Sequence, residues 1–284
     1  MSRVDLHLHS TASDGTESPA EVVREAARRG VGGISLTDHD TTAGLEEAAL
    51  EAERAGIAFL TGAELSANEP GRSVHILAYG FQPDAPGIQR FFSDYRVARN
   101  HRAARIVERL REQGLGIELD DVLQEAGEGV VTRAHIGRAL VRLGAVRDQQ
   151  TVFGRYLSRG GTAFVEKPPT PPARVFDMVR RAGGVTVLAH PGRTHRADAI
   201  RRWASQGLNG VEVLHPNNQP GVRSRLTALA NELGLLRGGG SDWHGPDSAR
   251  AELGSEQVPA RWMQEIADAA RALQERQSSE SAAE

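Results

Sequence analysis

Val4-Asp5-Leu6-His7-Leu8-His9 alternates strictly, with aliphatic residues on one side and an aspartate and two histidines on the other. A period of two is that of a β-strand, whose successive side chains point to opposite faces. The segment is therefore predicted as a strand that buries Val4, Leu6 and Leu8 and sets His7 beside His9. On one face both imidazoles can reach a single ion, although a half-exposed strand pair is the plainer reading of a lone His-x-His.

The rhythm around this strand repeats. Ser18-Pro19 supplies an N-cap and a first-turn proline for a helix to about Arg29, stopped by Gly30. Gly33–Thr37 reads as a strand, Thr42–Arg54 as a helix, and Ile57–Leu60 and Val74–Tyr79 as further strands. Strand–helix units of this length predict parallel strands with helices outside. After Pro83 the pattern turns helical: Asp94–Gln113 with Val97, Ile106, Val107 and Leu110 as core positions, then Thr132–Leu143 and Val152–Leu157. Residues 86–160 are read as a helical insertion between a first part, 1–85, and a second, 161–276. The second part resumes with helices at Pro172–Ala182, Ala197–Gln206, Gly221–Leu233 and Pro259–Gln274. Strands are expected at Val185–Leu188, Val211–Leu214 and Leu235–Gly240. The small, polar tail 277–284 is expected to be disordered. The fold class is α/β, with about seven strands closing or nearly closing a barrel. A doubly wound open sheet is the alternative.

Composition narrows the chemistry. The 284 residues include no cysteine, which excludes disulfides, thiolate ligands and a cysteine nucleophile. Any metal must sit among nitrogen and oxygen donors, which suits Mn, Fe, Zn or Mg. The net charge of −3 supplies no global field toward nucleic acid. Basic residues are almost all arginine, Lys167 being the single lysine, so planar guanidinium forks are plentiful. Neither a signal-like apolar core nor a membrane-spanning run is present, and the chain is read as cytoplasmic.

Position then singles out a site. His9, His39, Glu64, His190, His215 and Asp242 each fall at or just beyond the end of a predicted strand. In parallel α/β folds that is the end where sites assemble. Any one of these histidines alone reads as a satisfied core or surface residue; six ligand-type residues arriving from six strands read as a site. Glu64 can bridge two ions about 3.5–4 Å apart.

Asp5-Leu6-His7-Leu8-His9-Ser10, Ser13-Asp14-Gly15, Thr37-Asp38-His39, Glu64, His75, Ala189-His190-Pro191 and Ser241-Asp242-x-His244 resemble the PHP (polymerase and histidinol phosphatase) family. The helical insertion is similar to that of the branch holding nucleoside-3′,5′-bisphosphate phosphatases and 5′→3′ exoribonucleases. Thr132-Arg133-Ala134-His135 matches that branch's Arg-x-His element, with Ala134 where proline is usual. The resemblance implies a distorted seven-stranded barrel with two to three divalent ions, Mn²⁺ foremost and Fe²⁺, Zn²⁺ or Mg²⁺ as alternatives. It implies His7, His9, Glu64 and Asp242 on a first ion; Glu64, His75 and His190 on a second; and Asp14, His39 and His244 on a third.

The expected activity is phosphomonoester hydrolysis by water that the ions make acidic, with Glu64, Asp242 and His215 carrying the catalysis. Arg133, His135 and His215 are the candidates for holding substrate phosphates, and His215 alternatively protonates the leaving group. A solvated helix arginine is the plainer reading of Arg133. A nucleoside 3′,5′-bisphosphate is the first substrate. Short 5′-phosphorylated RNA, guided by Arg99, Arg102, Arg105 and Arg109, is the second, and histidinol phosphate the third. A non-catalytic metal-stabilised binding module and an amidohydrolase are the competing readings. Asp242-x-His244 and the lack of a lysine at a strand end weigh against the latter.

Overall fold

The computed structural model describes residues 3–69, 72–167, 169–193, 197–246 and 251–281. They belong to two compact units, one of residues 1–90 and 169–284 and one of residues 91–168.

The first unit opens β1 (Arg3–Leu8), α1 (Pro19–Arg28), β2 (Gly33–Leu36), α2 (Leu45–Ala55), β3 (Ala58–Phe59), β4 (Gly62–Glu69) and β5 (Arg72–Tyr79). Helix α1 begins where Ser18 accepts from the Glu21 amide and the Glu21 carboxylate accepts from the Ser18 amide, a reciprocal cap behind the first-turn proline. Helix α3 (Pro86–Arg111) leads into the second unit, which continues with α4 (Leu119–Ala126), α5 (Arg133–Arg142), α6 (Gln149–Val152) and a π-helical turn, Phe153–Leu157. The first unit resumes with α7 (Pro172–Arg181), β6 (Val185–Leu188), α8 (Ala197–Ser205), β7 (Gly210–Leu214), α9 (Pro220–Leu233), β8 (Leu236–Gly239), β9 (Val258–Pro259) and α10 (Ala260–Ser281). No helix among the described residues is long and apolar enough to cross a membrane.

The fold is mixed α/β, but its strands differ from the expected set. Sheets of four and five strands run in the orders β3-β2-β1-β9 and β4-β5-β6-β7-β8. Strands β4 and β9 are absent from the sequence reading. The first carries small and polar residues in place of an aliphatic run, and the second is two residues long. Nor is the arrangement wholly parallel: β5 pairs antiparallel with both β4 and β6, and β9 with β1. Two residues separate β4 from β5, too few for the crossover that a parallel pair requires. The two sheets meet at two single bridges, Leu8 with Trp243 and His39 with Glu64. At the first seam the Asp242 amide donates to the His7 carbonyl (2.9 Å) and the His9 amide to the Trp243 carbonyl (3.0 Å). At the second, the Glu64 amide donates to the Thr37 carbonyl at 3.1 Å.

Leu6, Leu8, Ile34, Leu36, Leu65, Ile76 and Leu77 are fully buried, as the alternation in β1 requires. The polar side of β1 is buried as well, since His7 and His9 have no exposure at all. Helix α10 extends through Ser281, so Gln277–Ser281 are helical where the sequence suggested an irregular tail; residues 282–284 lie outside the described set.

The second unit contains helices and no strand among its described residues. Ile106, Leu110, Val122, Ile136, Leu140 and Leu157 build its own core. Ile106, Val107 and Leu110 are buried as expected, but Val97 is 54% exposed. The buried stripe of α3 runs through Phe91, Tyr95, Ala103, Ile106 and Leu110, and Val97 lies on the other side of the helix. Arg99, Arg102 and Arg109 donate to the carbonyls of Val131, Val165 and Phe164. These guanidinium groups tie loops of this unit together, and of the four arginines expected to guide a strand only Arg105 is exposed.

Gly240 sits where the end of β8 passes β1. A methyl group there would run into the backbone nitrogen and β-carbon of His7 and stand 2.8 Å from the Asp5 carboxylate. Gly240→Ala is expected to cost at least about 1–3 kcal/mol, as overpacking at a tight contact does. The midpoint of urea unfolding checks it; an unchanged midpoint would contradict the close approach.

Candidate metal centre

Ten ligand-type residues converge in the first unit. His7 comes from β1, and His9 and Asp14 from the loop after it; His39 follows β2. His190 follows β6, His215 follows β7, and Asp242 and His244 follow β8, so the ends of the parallel strands do assemble the cluster. Glu64 departs from that rule. It is the third residue of β4 and faces inward there, as does His75 within β5.

Glu64 lies at the centre. Its Oε1 is 2.8 Å from His75 Nδ1 and 3.0 Å from His190 Nε2. Its Oε2 is 3.3 Å from His7 Nε2, 3.2 Å from His9 Nε2 and 3.2 Å from His39 Nδ1. Asp242 Oδ1 lies 3.5 Å from His7 Nε2 and 3.4 Å from His9 Nε2. Asp14 faces His244 Nε2 at 3.3 Å, with His39 Nε2 at 4.0 Å and His9 Nδ1 at 3.9 Å. Four compact groups result: His7, His9, Glu64 and Asp242; His39, Glu64 and His75, with His190 on the same carboxylate; His9, Asp14, His39 and His244; and, behind the first, His7, Glu212 and His215.

The donor set fits divalent ions. All its donors are imidazole nitrogens or carboxylate oxygens, and the ring nitrogens His9 Nε2 and His39 Nδ1 are buried without an aligned hydrogen-bond partner. Burial pushes His39 down to about 3, against the pull of Glu64 and Asp14, so the ring is neutral. Burial alone would raise Glu64, yet His39, His75 and His7 hold it well below the usual carboxylate range. Burial likewise opposes protonation of His9, but the Asp242 and Glu64 carboxylates beside it outweigh that and push it up to about 9. In each case the metal-free cluster holds a proton or a lone pair where a cation would satisfy the neighbours better.

Hydrogen-bond partners sort the histidines further. His7 Nδ1 faces the Glu212 carboxylate at 2.9 Å and His244 Nδ1 the Asp242 carbonyl at 2.8 Å. Carboxylates and carbonyls only accept, so both rings carry a proton on Nδ1, and a cation in the cluster would be met by the lone pair of Nε2. His215 is the reverse. Its Nδ1 accepts from the Asn217 amide at 3.1 Å, which leaves the proton on Nε2, 3.5 Å from Asp242 Oδ2. That suits a hydrogen-bond donor to a substrate rather than a metal ligand. His39, Glu64, His75, His190, His215, Asn217 and Asp242 line a cavity of about 410 Å³.

Arg133 and His135 belong to the second unit, at the start of α5. Thr132 caps that helix and His135 Nδ1 accepts from the Thr132 amide. The Arg133 guanidinium donates to the Leu157 carbonyl at 2.9 Å. His101 is exposed, and His195 lies outside the described residues. Four buried acids were given no role by the sequence, Asp40 among them, which accepts from the Ser66 amide at 2.7 Å. Asp38 accepts from the Ser10 amide and the Ser10 and Ser13 hydroxyls; Asp5 accepts from the amides of Ser241 and Gly254; Glu212 holds His7. Each is an acid beside or within an apolar strand, which is the signal that marks them.

With this geometry in place, the comparisons with known proteins fall into line. A PHP domain model matches residues 5–82. The 5′-3′ exoribonuclease of Haemophilus influenzae is 35% identical over 249 residues, covering 86% of this chain and 90% of the relative. This chain belongs to the PHP family. The 3′,5′-nucleoside bisphosphate phosphatase of Chromobacterium violaceum is 34% identical over 266 residues, 91% of this PHP chain and 93% of the relative. A solved structure from Bifidobacterium adolescentis, described as a metal-dependent phosphoesterase, superposes with a TM-score of 0.88 at 35% identity. It covers 94% of this chain and 96% of its own.

Because the folded chain binds the His9 proton more tightly than the unfolded chain does, the stability so gained is complete below about pH 6.5 and lost as pH rises through about 9. A bound cation replaces that proton and removes the dependence. The melting temperature of metal-stripped protein should therefore fall between pH 6.5 and 9, and the increment from added Mn²⁺ should grow over the same range. Thermal melts with and without Mn²⁺ test this; an increment independent of pH would contradict it.

Proposed function

We propose that this PHP-family chain is a divalent-metal-dependent phosphoesterase that hydrolyses a phosphomonoester of a nucleoside 3′,5′-bisphosphate. The observation that carries the reading is the buried Glu64 carboxylate shared by five imidazoles, with Asp242 and Asp14 completing adjacent groups. His7, His9, Glu64 and Asp242 would hold one ion, Glu64, His75 and His190 a second, and Asp14, His39 and His244 a third. When bound, such ions supply Lewis-acid stabilisation of phosphate oxygens and a water acidic enough to attack at neutral pH. A sulfur-free set of imidazoles and carboxylates suits Mn²⁺, Fe²⁺, Zn²⁺ or Mg²⁺, and the family resemblance puts Mn²⁺ first. We read the two sheets, bridged at both seams, as the distorted barrel that would carry these groups.

The chain's own residues do the rest. His215, with its proton fixed on Nε2, donates toward a phosphoryl or leaving-group oxygen in the cavity. In the second unit, burial and the mutual repulsion of Arg133, Arg99 and Arg102 bring Arg102 down to about 10. Arg133 is lowered by the same two causes, burial first and Arg99 second. An anion relieves that repulsion, which suits a substrate carrying a second phosphate. The relatives named as an exoribonuclease and as a bisphosphate phosphatase bracket this substrate class. Short 5′-phosphorylated RNA is the second reading, supported by the first of them.

The test is phosphate release from adenosine 3′,5′-bisphosphate, AMP, histidinol phosphate and a short 5′-phosphorylated RNA, with metal-stripped and Mn²⁺-reloaded protein. Metal-dependent release favouring the bisphosphate is expected. Sequential mononucleotides from the RNA would move the assignment to the exoribonuclease, and silence on all four would overturn it. Glu64→Ala and His190→Ala should each lower activity by more than about 100-fold, ligands mattering at least as much as the groups that orient them. Arg133→Ala should raise KM for the bisphosphate by about 10–100-fold, the worth of one charge-assisted bond. An unchanged KM would remove Arg133 from the substrate.

A further inference from the structure

Glu212 stands in the middle of β7 with Val211 and Val213 on either side. Those valines take the opposite face of the strand, so the carboxylate points inward, and it is fully buried. Among the described residues, no arginine or lysine pairs with it. Oε1 accepts from His7 Nδ1 at 2.9 Å, and Oε2 accepts from the backbone amide of His190 at 2.5 Å.

Both partners matter. His7 presents Nε2 to Glu64 and Asp242, and only a proton on Nδ1 leaves that lone pair free. His190 presents Nε2 to Glu64, and its backbone sits in the left-handed region at φ +31, which non-glycine residues adopt only when their surroundings hold them there. Glu212 is the group that grips the amide of this residue. The anchor is itself fixed: the Asn218 side-chain amide donates to the Glu212 and Val213 carbonyls.

We propose that Glu212 is a positioning residue for the metal cluster, a single carboxylate that sets the tautomer of His7 and the backbone of His190 and so keeps two of the ligand groups in register. The inference rests on the metal reading above and adds to it a residue that binds no substrate. A glutamine would be nearly isosteric but has one acceptor oxygen for two donors. Its NH₂ would oppose the His190 amide, or donate to His7 Nδ1 and drive the proton onto Nε2, where it blocks ligation.

The experiment titrates metal-stripped full-length protein with Mn²⁺ in a calorimeter for wild type, Glu212→Gln, His7→Ala and the double variant, with melting temperatures of the metal-free forms. Glu212→Gln is expected to weaken Mn²⁺ binding by about 10–100-fold while the number of ions bound at saturation stays the same. The loss in the double variant should be smaller than the product of the two single losses, because part of the effect passes through His7. Wild-type affinity in Glu212→Gln would overturn the proposal and leave the metal reading standing. So would the disappearance of one whole ion at saturation, which would make Glu212 a ligand. A wild type that binds no Mn²⁺ would overturn both. Should Glu212→Gln not fold, ¹⁵N spectra of imidazole-labelled wild type loaded with Zn²⁺ decide the matter: His7 protonated on Nδ1 is expected, and His7 bare at Nδ1 overturns it.

Discussion

A carboxylate with 1% exposure, placed within 3.3 Å of five imidazoles, is the constraint around which this chain is arranged. Burying an anion costs several kcal/mol unless its neighbours compensate. Compensation for Glu64 comes from residues on five segments: β1, the loop after it, the loop after β2, β5 and the loop after β6. None of these can shift without uncovering the charge. The irregular features follow from that demand: β4 turned antiparallel to bring Glu64 inward, and left-handed backbone at Asp40, His190 and Asp242.

Much of this was legible in the residues. Strict alternation in Val4–His9 gave both the strand and the shared face of its histidines, because a period of two admits few other readings. Helix ends were marked by chemistry that acts locally, such as the Ser18 cap and Pro19. What escaped was set at long range. The direction of β5 depends on partners more than a hundred residues away in β6, and β4 is written in alanine, serine and asparagine, which carry little periodic signal. Glu212 escaped for a related reason: a lone acid between valines resembles the solvent side of a half-exposed strand until the other sheet is known to cover it.

The second unit shows the same division between pattern and context. Its helices and much of its core follow from hydrophobic spacing, whereas Val97 required knowing which way α3 rolls. Its arginines illustrate a limit of composition. A helix rich in guanidinium groups suggests a surface for nucleic acid, yet Arg102 and Arg109 are used as long reaching donors that close the loop near Val165. Counting basic residues says nothing about which are already engaged.

The two seams carry one further implication. The backbone hydrogen bonds described at the seams start or end on residues of the candidate metal cluster: His7, His9, Glu64 and Asp242. Local opening of a seam and loss of a ligand group are thus one event, and the free energy that resists the first is lent by whatever occupies the second. The amide protons of His9, Glu64 and Asp242 are buried reporters of that coupling. Occupancy of the cluster would slow their exchange with solvent, which would make hydrogen exchange at three backbone positions a measure of how full the site is.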